Sequence, residues 1–560
     1  MKQITFLFLF ALGTSYAQEI NSGATTADWP HYGGSAASLR YSALDQVKTT
    51  NVTGLTPAWI FQTGDYFENL QSTPLVVDGV MYIITPRLRV FALNGATGEL
   101  IWKYDYGPLR PGAGGGAIYI QNRGLALSGG LVFFGTSDNY LVALDRKTGL
   151  EDWRVAVDDA RQCSCGITSA PLVAGDKIIV GGTGGDTANR GYLTAFYARS
   201  GKFAWRWYVI PAPGEKGSET WKGQSWRTGG GAPWLTGSFD AELNLVYWGT
   251  GNAAADFDNS SRVISNTKDT EENLFTASIV AIDVNTGELR WYHQEVPGDV
   301  WDYDSSYECL LVDRQIGGQM RRLLLHMGKT GLVFVLDRVT GELVRVFSVP
   351  EVRTWISGVT EDGKLVGRKE PEQGKSINVC PSVLGVKSWN SMAYSLRTGL
   401  LYIPIVETCN EITAHPQEAK QGETFMGGSM VLNLPPNRTN YAHIDAWDPM
   451  TGKRVWTYPY KYLLGASVLA TAGDLVFTGD PEGHFFALDA RSGKKLWSFQ
   501  TGAGHRGSAI SYSVNGKQYI ATPTGWQQAI GGRMMSQLFP DQEFRGGSTL
   551  VVFTLPESAR

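Results

Sequence analysis

The chain has 560 residues, of which 43% are hydrophobic and 18% are charged, and its formal net charge is −4 at pH 7. This composition excludes a disordered chain, and the charge gives no sign of the basic surface that binds nucleic acid. Beyond the N-terminus no run of about 18 consecutive apolar residues occurs, so no membrane span is predicted.

The N-terminus has the pattern of a secretory signal peptide. A basic residue precedes an apolar stretch over residues 4–13, and Ser15 and Ala17 provide small residues at positions −3 and −1 of a cleavage site. The sequence therefore predicts a signal peptide over residues 1–17 and a mature protein over residues 18–560. That mature protein is expected in the periplasm or outside the cell.

A short phrase recurs eight times: an apolar run, then Thr-Gly or Ser-Gly, usually with Trp five residues after the Thr or Ser. The turns are Thr97-Gly98, Thr148-Gly149, Ser200-Gly201, Thr286-Gly287, Thr340-Gly341, Thr398-Gly399, Thr451-Gly452 and Ser492-Gly493. The tryptophans are Trp102, Trp153, Trp205, Trp291, Trp456 and Trp497, whereas Arg345 and Ile403 take this place in the fifth and sixth copies.

Each phrase predicts strand, tight turn, strand, because apolar and polar residues alternate on both sides of a glycine that tolerates positive φ. Two further apolar runs precede many of the turns, as in residues 74–83. The phrases recur at intervals of roughly 50 residues, the period of a four-stranded blade. We therefore predict an all-β fold, a single eight-bladed β-propeller whose tryptophans pack between blades.

Five cysteines are present: Cys163, Cys165, Cys309, Cys380 and Cys409. Export permits disulfides, and Cys380 and Cys409, which flank the sixth turn, are predicted to form a structural bridge. Cys163 and Cys165 are open to three interpretations: a strained redox pair, an ordinary loop disulfide, or free thiols. No Cys-x-x-Cys-His occurs, which excludes covalent c-type haem.

The segment 297–304 contains three acidic residues. On an extended strand Asp302 and Asp304 would lie on one face, where two carboxylates repel each other unless a cation or a proton lies between them. The sequence therefore indicates a metal site here, and the alternative is a solvated acidic loop.

Three more candidates each follow an apolar strand at a glycine-rich turn: Asp186, Asn252 and Lys329. In a ring of blades such turns direct side chains toward one rim or the channel. Asp and Asn oxygens suit a hard cation such as calcium. The alternative is that each is an ordinary turn residue. The glycine runs 112–116 and 229–231 lack the context of a phosphate-binding loop and are interpreted as tight loops.

With the signal peptide, the eight phrases and Trp301-Asp-Tyr-Asp304, the chain resembles the pyrroloquinoline quinone (PQQ)-dependent alcohol dehydrogenases, the methanol and ethanol dehydrogenase family of eight-bladed propellers. The resemblance covers nearly the whole mature chain. Its further motifs begin at Asn122, Thr168, Arg190, Gly229, Gly249, Val379 and Leu469.

The resemblance implies a site on the propeller axis. PQQ would stack on Trp234, and the implied cofactor-binding residues are Gln71, Arg123, Thr168, Gly184, Gly185, Trp234, Ser388, Gly525 and Trp526. The metal would be bound by Asp186, Asn252, Asp302 and Asp304. Asp302 would act as the catalytic base, and Lys329 would lie beside the quinone oxygens. The metal is expected to be calcium, with a lanthanide ion as the alternative because Asp304 adds a carboxylate.

The chain departs from the methanol dehydrogenase pattern at several places. The departures are Ala117-Ile118 in place of adjacent cysteines, Asp186 in place of Glu, Gln71 in place of an acidic residue, Ser388 in place of Asn, and Gly465 in place of a second stacking Trp. A roomier pocket is expected, for a larger alcohol, a polyol or a sugar.

The sequence thus predicts a periplasmic PQQ- and metal-dependent dehydrogenase that oxidises a hydroxyl to a carbonyl. Electrons would pass to an external acceptor such as cytochrome c, and a homodimer is left open. The alternatives are a non-catalytic propeller scaffold for protein–protein interaction and a propeller that has lost PQQ binding. Asp186, Asn252, Asp302 and Lys329 together favour the enzyme, because a scaffold needs no metal ligands around one channel.

Overall fold

The computed structural model describes residues 27–66, 69–107, 121–264, 272–316, 318–526 and 530–557. Three predicted features lie outside these residues: the signal peptide over residues 1–17, the glycine run 112–116 and Ala117-Ile118.

The described residues are mostly strands. In chain order these are β1 (Tyr41–Ser42), β2 (Thr56–Gln62), β3 (Leu75–Val77), β4 (Val80–Ile84), β5 (Arg89–Asn94), β6 (Leu100–Asp105), β7 (Ala126–Ser128), β8 (Leu131–Gly135), β9 (Tyr140–Asp145), β10 (Glu151–Ala156), β11 (Leu172–Ala174), β12 (Lys177–Gly181), β13 (Tyr192–Tyr197), β14 (Phe203–Tyr208), β15 (Ser238–Asp240), β16 (Leu245–Gly249), β17 (Ser278–Asp283), β18 (Leu289–Gln294), β19 (Leu310–Ile316), β20 (Gln319–Met327), β21 (Leu332–Asp337), β22 (Leu343–Ser348), β23 (Gly358–Val359), β24 (Leu365–Val366), β25 (Ser376–Val379), β26 (Ala393–Tyr394), β27 (Leu401–Val406), β28 (Cys409–Ala414), β29 (Gly428–Asn433), β30 (Ala442–Asp448), β31 (Lys453–Tyr460), β32 (Leu469–Thr471), β33 (Leu475–Gly479), β34 (His484–Asp489), β35 (Lys495–Gln500), β36 (Ile510–Val514), β37 (Lys517–Thr524) and β38 (Thr549–Thr554).

Helices are few and short. The α-helices are α1 (Ala160–Cys163) and α2 (Ile530–Leu538), and the 3-10 helices are Val52–Gly54, Ser218–Thr220 and Ser225–Thr228. Among the described residues, none of these helices has the length and apolar character needed to cross a bilayer.

Eight sheets of four antiparallel strands form the body of the molecule. They are β3 to β6, β7 to β10, β11 to β14, β15 to β18, β19 to β22, the set β26-β27-β30-β31, β32 to β35, and the set β36-β37-β38-β2. Strand β1 adds to the seventh sheet by parallel pairing with β32. These sheets confirm the predicted β-propeller, and their number agrees with the eight predicted blades. Two smaller sheets, β23-β24 and β25-β28-β29, are insertions.

The eighth sheet joins the two ends of the chain. Strand β2 from the N-terminal part pairs antiparallel with β38 from the C-terminal part, from Thr56 opposite Thr554 to Gln62 opposite Thr549. This pairing closes the ring, so no full sheet edge is left open between the first and last blades. The sequence analysis did not predict this closure.

Five of the six predicted tryptophans pack on the glycine turn of the next sheet, which confirms their predicted role between blades, whereas Trp497 packs against Phe553 of the eighth sheet, with the ring centres 5.1 Å apart. The ring of Trp102 lies so close to Gly149 that a Cβ there would be 2.5 Å from it. Trp102 Nε1 also donates a hydrogen bond to Arg146 O in that turn, at 3.0 Å. The other pairs of this kind are Trp59 with Gly98, Trp153 with Gly201, Trp205 with Gly287, Trp291 with Gly341 and Trp456 with Gly493.

The sixth repeat was wrongly placed by the sequence analysis. Thr398-Gly399 lies between β26 and β27, the first two strands of its sheet, whereas Thr451-Gly452 forms the turn between β30 and β31. Ile403 therefore lies on the second strand and is no counterpart of the docking tryptophans. A Thr-Gly turn occurs both in the hairpin of the first two strands and in the hairpin of the last two strands of this sheet. The short phrase alone could not distinguish these two positions.

In the fifth sheet another side chain takes the place of the missing tryptophan. Phe347, two residues beyond Arg345, packs on Gly452 of the next sheet, with Phe347 atoms 3.3 Å from the position of an added Cβ. The docking contact is thus kept with a different residue and a shifted position.

The predicted disulfide is confirmed: Cys380 and Cys409 are bonded. Cys163 and Cys165, whose state the sequence left open, are also bonded to each other. Cys309 is a free, buried thiol.

Candidate active site

A cavity of about 330 Å³ lies where the eight sheets converge. Each sheet contributes a lining residue from just before its first strand, namely Gln71, Arg123, Thr168, Trp234, Asp304, Ser388, Gly465 and Arg506. Others, such as Asp186, Lys329 and Trp526, come just after a second strand. In an antiparallel pair the start of one strand lies beside the end of the next, so the fold collects these distant positions at one place.

Most of the predicted site residues line this cavity: Gln71, Arg123, Thr168, Gly184, Gly185, Asp186, Trp234, Asp302, Asp304, Lys329, Ser388 and Trp526. Asn252 and Gly525 do not line it. Asn252 is fully buried against Gly185 in the wall, and Gly525 packs against Leu70 and Gly547. The structure therefore brings twelve of the fourteen predicted residues to one cavity, with these two residues behind its surface.

Lys329 joins the two acidic residues of the Trp-Asp-Tyr-Asp segment. Its Nζ lies 2.8 Å from Asp302 Oδ1 and 2.8 Å from Asp304 Oδ2. Its backbone N–H also donates to Asp304 O at 3.0 Å. The ammonium thus lies between the carboxylates for which the sequence predicted an intervening cation.

These carboxylates do not converge by alternation along a strand, and that expectation was wrong. Strand β18 ends at Gln294 and β19 begins at Leu310, so Asp302 and Asp304 lie on no strand, and Asp302 has a φ of 60°. A non-glycine residue in this left-handed region carries strain of roughly 1–3 kcal/mol, which is commonly held at functional sites. The strained backbone and the salt bridge, rather than strand periodicity, set the position of Asp302.

The cluster carries more negative than positive charge. Burial raises the pKa of Asp186 and Asp302 above the ordinary range, and the attraction of Lys329 only partly offsets this effect. Burial also disfavours the ammonium of Lys329, but the neighbouring carboxylates outweigh that effect and raise its pKa. One ammonium therefore does not balance the cluster, and a bound cation would stabilise its ionised form.

Asn252 offers an oxygen that accepts no hydrogen bond from any described residue. Its backbone N–H donates to Asp304 Oδ1 at 3.0 Å, and its Nδ2 donates to Asp256 Oδ1 at 2.8 Å. Its Oδ1 is buried without a hydrogen-bond partner, 2.8 Å from where a Cβ on Gly185 would lie. Buried polar atoms are normally satisfied, so an unpaired oxygen beside carboxylates fits a hard cation.

The cation site is inferred from the carboxylate and amide oxygens of these side chains. Within the described ranges, no three His, Cys, Asp or Glu side chains already form a metal-ligating group. Lys329 instead occupies the space between Asp302 and Asp304.

Trp234 forms a flat aromatic surface in the cavity. The Arg123 guanidinium lies 5.0 Å from its ring centre, and the Tyr307 ring packs edge-on against it at 5.6 Å. Arg123 Nη1 donates to Thr168 Oγ1 at 2.7 Å, whereas the buried Arg123 Nε has no hydrogen-bond partner. An aromatic platform beside a cationic group fits the planar, carboxylate-bearing cofactor that the resemblance implies.

The sequence analysis missed several residues of this region. Trp389 and Arg506 line the cavity, and the Arg506 guanidinium lies 4.3 Å from the Trp389 ring centre and 5.1 Å from that of Trp526. Gly465 supplies no ring, but Trp389 lines the same cavity together with Trp234 and Trp526. Its position next to Ser388 was a usable signal, whereas nothing in the sequence singled out Arg506.

One side of the cavity is apolar. Strand β29 lies within the insertion between β27 and β30, and it contacts α2. This part of the wall consists of Val383, Leu384, Val406, Met426, Met430, Leu463, Leu464, Met534 and Met535. The methionines come from the insertion and from α2, which lie outside the repeated blades, so the repeat pattern gave no sign of them.

Comparison with known proteins agrees with this geometry. Residues 29–364 and 462–520 match the family described as "PQQ: Glucose/ethanol/alcohol dehydrogenase, beta-propeller domain". The chain is 34% identical to a quinohemoprotein alcohol dehydrogenase of Comamonas testosteroni, over 96% of this chain and 78% of the relative. It is also 34% identical to the quinoprotein alcohol dehydrogenase PedH of Pseudomonas putida, over 92% of this chain and 89% of the relative.

A solved structure is also similar. A europium-containing methanol dehydrogenase superposes with a TM-score of 0.86 at 29% identity, covering 94% of this chain and 98% of that chain.

Proposed function

The chain belongs to the PQQ-dependent glucose, ethanol and alcohol dehydrogenase family and is a quinoprotein alcohol dehydrogenase, and from this premise we propose that it oxidises apolar alcohols at the cavity described above. The reaction would depend on PQQ and a bound cation, with Asp302 as the base.

The observation that carries this proposal is the buried group of Asp302, Asp304 and Lys329 in the wall of a cavity that also contains Trp234 and Arg123. Buried charges are unfavourable unless they are paired, and a scaffold has no use for a buried lysine between two aspartates beside an aromatic platform. Titratable groups with perturbed pKa values in a cleft are typical of catalysis.

PQQ, when bound, supplies the two-electron oxidant that takes hydride from the alcohol carbon. Asp302 would accept the hydroxyl proton of the substrate, and its raised pKa makes it a better base than an ordinary aspartate. Lys329 would place a positive charge where negative charge develops, while its salt bridge fixes the Asp302 carboxylate in place. The buried surroundings exclude water and strengthen both effects.

The proposed cation ligands are Asp186, Asn252, Asp302 and Asp304. Their oxygens suit calcium, which we propose as the resident ion, and lanthanide ions share this preference for oxygen ligands. The additional carboxylate of Asp304 and the europium-containing relative support a lanthanide as the alternative. Gln71, Arg123, Thr168, Gly184, Gly185, Trp234, Ser388 and Trp526 would hold the cofactor, with Gly525 behind Trp526.

The apolar side of the cavity supports an alcohol with a hydrocarbon chain or an aromatic ring over a polyol or a sugar. Met426, Met430 and Met534 offer few hydrogen-bonding groups to additional hydroxyls, and burying those hydroxyls without partners is unfavourable. Methionine side chains adapt to irregular shapes, so a range of apolar alcohols would fit.

The N-terminal sequence supports a periplasmic location. The residues of 1–17 support a signal peptide, and residues 18–560 would then act in the periplasm as one catalytic domain. The quinohemoprotein relatives support transfer of electrons to a cytochrome c-type acceptor.

Substrate profiling of the protein loaded with PQQ and calcium tests this function. We expect a higher kcat/KM for 1-hexanol and benzyl alcohol than for glycerol and glucose. Met430→Gln should lower kcat/KM for 1-hexanol by about 10-fold with little effect on ethanol, because only the longer chain reaches the apolar side. Met320→Gln, at an exposed position, is the control. Equal activity on glycerol or glucose would contradict the apolar assignment.

A further inference from the structure

Asp256 is a buried carboxylate next to the proposed cation site. It is not one of the proposed cation ligands. It lies four residues after Asn252 and is fully buried. Its Oδ1 accepts the hydrogen bond from Asn252 Nδ2 at 2.8 Å, and its buried Oδ2 has no hydrogen-bond partner in the part of the chain that the structure describes.

The two cations that act on Asp256, Lys329 and Arg262, make their close contacts with other groups. The neighbouring cation Arg262 directs its guanidinium elsewhere, to Asn273 Oδ1 and to the backbone oxygens of Ala255 and Asp299. Asp256 has no salt bridge among the described residues. A buried carboxylate with one hydrogen bond and no ion pair is unfavourable unless a positive charge lies near it.

The hydrogen bond between Asp256 and Asn252 indicates that a positive charge would lie near the Asn252 side chain. Because Asn252 Nδ2 is held by Asp256 and its backbone N–H by Asp304, the side-chain amide is fixed at two points. Its Oδ1 has no hydrogen-bond partner among the described residues and lies next to Gly185. Groups that orient a metal ligand from behind commonly change metal affinity by about 10- to 100-fold when removed.

We propose that Asp256 is an additional acidic residue of the cation site. It would orient the Asn252 oxygen toward the ion and add a negative charge that favours trivalent over divalent cations. This inference rests on the proposed cation dependence and on the assignment of Asn252 as a ligand.

Equilibrium dialysis of the full chain, carrying PQQ and stripped of metal, tests the proposal with calcium and with lanthanum separately. Asp256→Asn keeps the size of the side chain but removes its charge. Because Coulomb attraction scales with the charge of the ion, a loss of about 10-fold in calcium affinity should accompany a loss of about 30-fold in lanthanum affinity. The preference for lanthanum over calcium would then fall about 3-fold.

Asp258→Asn is the matched control, since Asp258 is also buried, lies two residues further on, and is hydrogen-bonded to Ser260 rather than Asn252. It should leave both affinities unchanged. Thermal unfolding of the metal-free variants checks folding: Asp256→Asn should keep or raise the midpoint, because it removes an unpaired buried charge, whereas a purely structural role would lower it.

The outcomes separate the two proposals. Wild-type affinities in Asp256→Asn would overturn the role of Asp256 and leave the cation site intact. A wild-type protein that binds neither calcium nor lanthanum would overturn the cation dependence itself and the role of Asp256 with it.

Discussion

The Lys329 ammonium lies 2.8 Å from Asp302 Oδ1, and both side chains are buried in the wall of the cavity. The contact joins residues from a loop before β19 and from the end of β20, which the fifth sheet places side by side. It links the proposed base to an ammonium that balances part of its charge.

Asp302→Asn should retain bound PQQ but lose most turnover. The amide keeps the shape of the side chain but cannot accept the hydroxyl proton, so kcat should fall by roughly 10²- to 10⁴-fold. Steady-state kinetics, together with the absorbance of the bound quinone after desalting, measures both effects. Asp362→Asn, at an exposed position, serves as the control. Wild-type kcat in the Asp302 variant would refute its role as base.

Lys329→Met should destabilise the metal-free protein and make its stability depend on calcium. The change leaves Asp302 and Asp304 buried without their common partner, and breaking a buried pair in this way is unfavourable by about 3–5 kcal/mol. The thermal midpoint should drop without calcium and recover largely when calcium is added. Lys375→Met removes an exposed ion pair with Glu372 and should leave the midpoint unchanged. A calcium-independent midpoint in Lys329→Met would argue against a cation at these carboxylates.

Gly149→Ala should destabilise the ring by disrupting one docking contact. The new Cβ would lie 2.5 Å from the ring of Trp102, at a φ of 71°. Gly516→Ala is a matched control, since its φ is 73° and no atom lies within 4 Å of the added Cβ. Backbone strain of about 1–2 kcal/mol applies to both, and overpacking adds roughly 1–3 kcal/mol only at Gly149. Denaturant unfolding compares the two, and equal losses would mean that the docking contact tolerates a methyl group.

His443 should stabilise the protein at neutral pH and lose that effect as the pH rises. Burial disfavours its charged ring, but hydrogen bonds with Asp445 and Glu407 outweigh this and raise its pKa to about 9. Because the folded-state pKa lies above the unfolded value of about 6.5, the contribution is full below about pH 6.5 and disappears as the pH rises through about 9.

Comparison of the wild type with His443→Gln tests whether the contribution of His443 to stability falls as the pH rises. The difference in thermal midpoint between wild type and variant should be large near pH 6 and shrink near pH 9.5. A difference that is constant or grows with pH would contradict the charged state of His443.

The sequence predicted the ring because most blades repeat a docking tryptophan and a glycine turn, and one such pair, Trp102 with Gly149, shows how the pattern works. Most of the predicted site residues line one cavity, because residues such as Asp186 and Lys329 follow second strands at the same place in their sheets. The sequence could not predict Asp256, whose role depends on a hydrogen bond to Asn252 and carries no periodic signal. Met430 lies in an insertion outside the repeated blades, so the apolar side of the cavity could not be predicted from the repeat.

Dye-linked oxidation of 1-hexanol tests the proposed dependence on PQQ and a cation most directly. The wild-type protein is stripped of metal and quinone and then reconstituted. Activity is measured with PQQ plus calcium, PQQ plus lanthanum, PQQ alone, and each metal alone. We expect turnover only where PQQ and a cation are both present. Turnover without PQQ or without any cation, or none with PQQ and either cation, would contradict the proposed function.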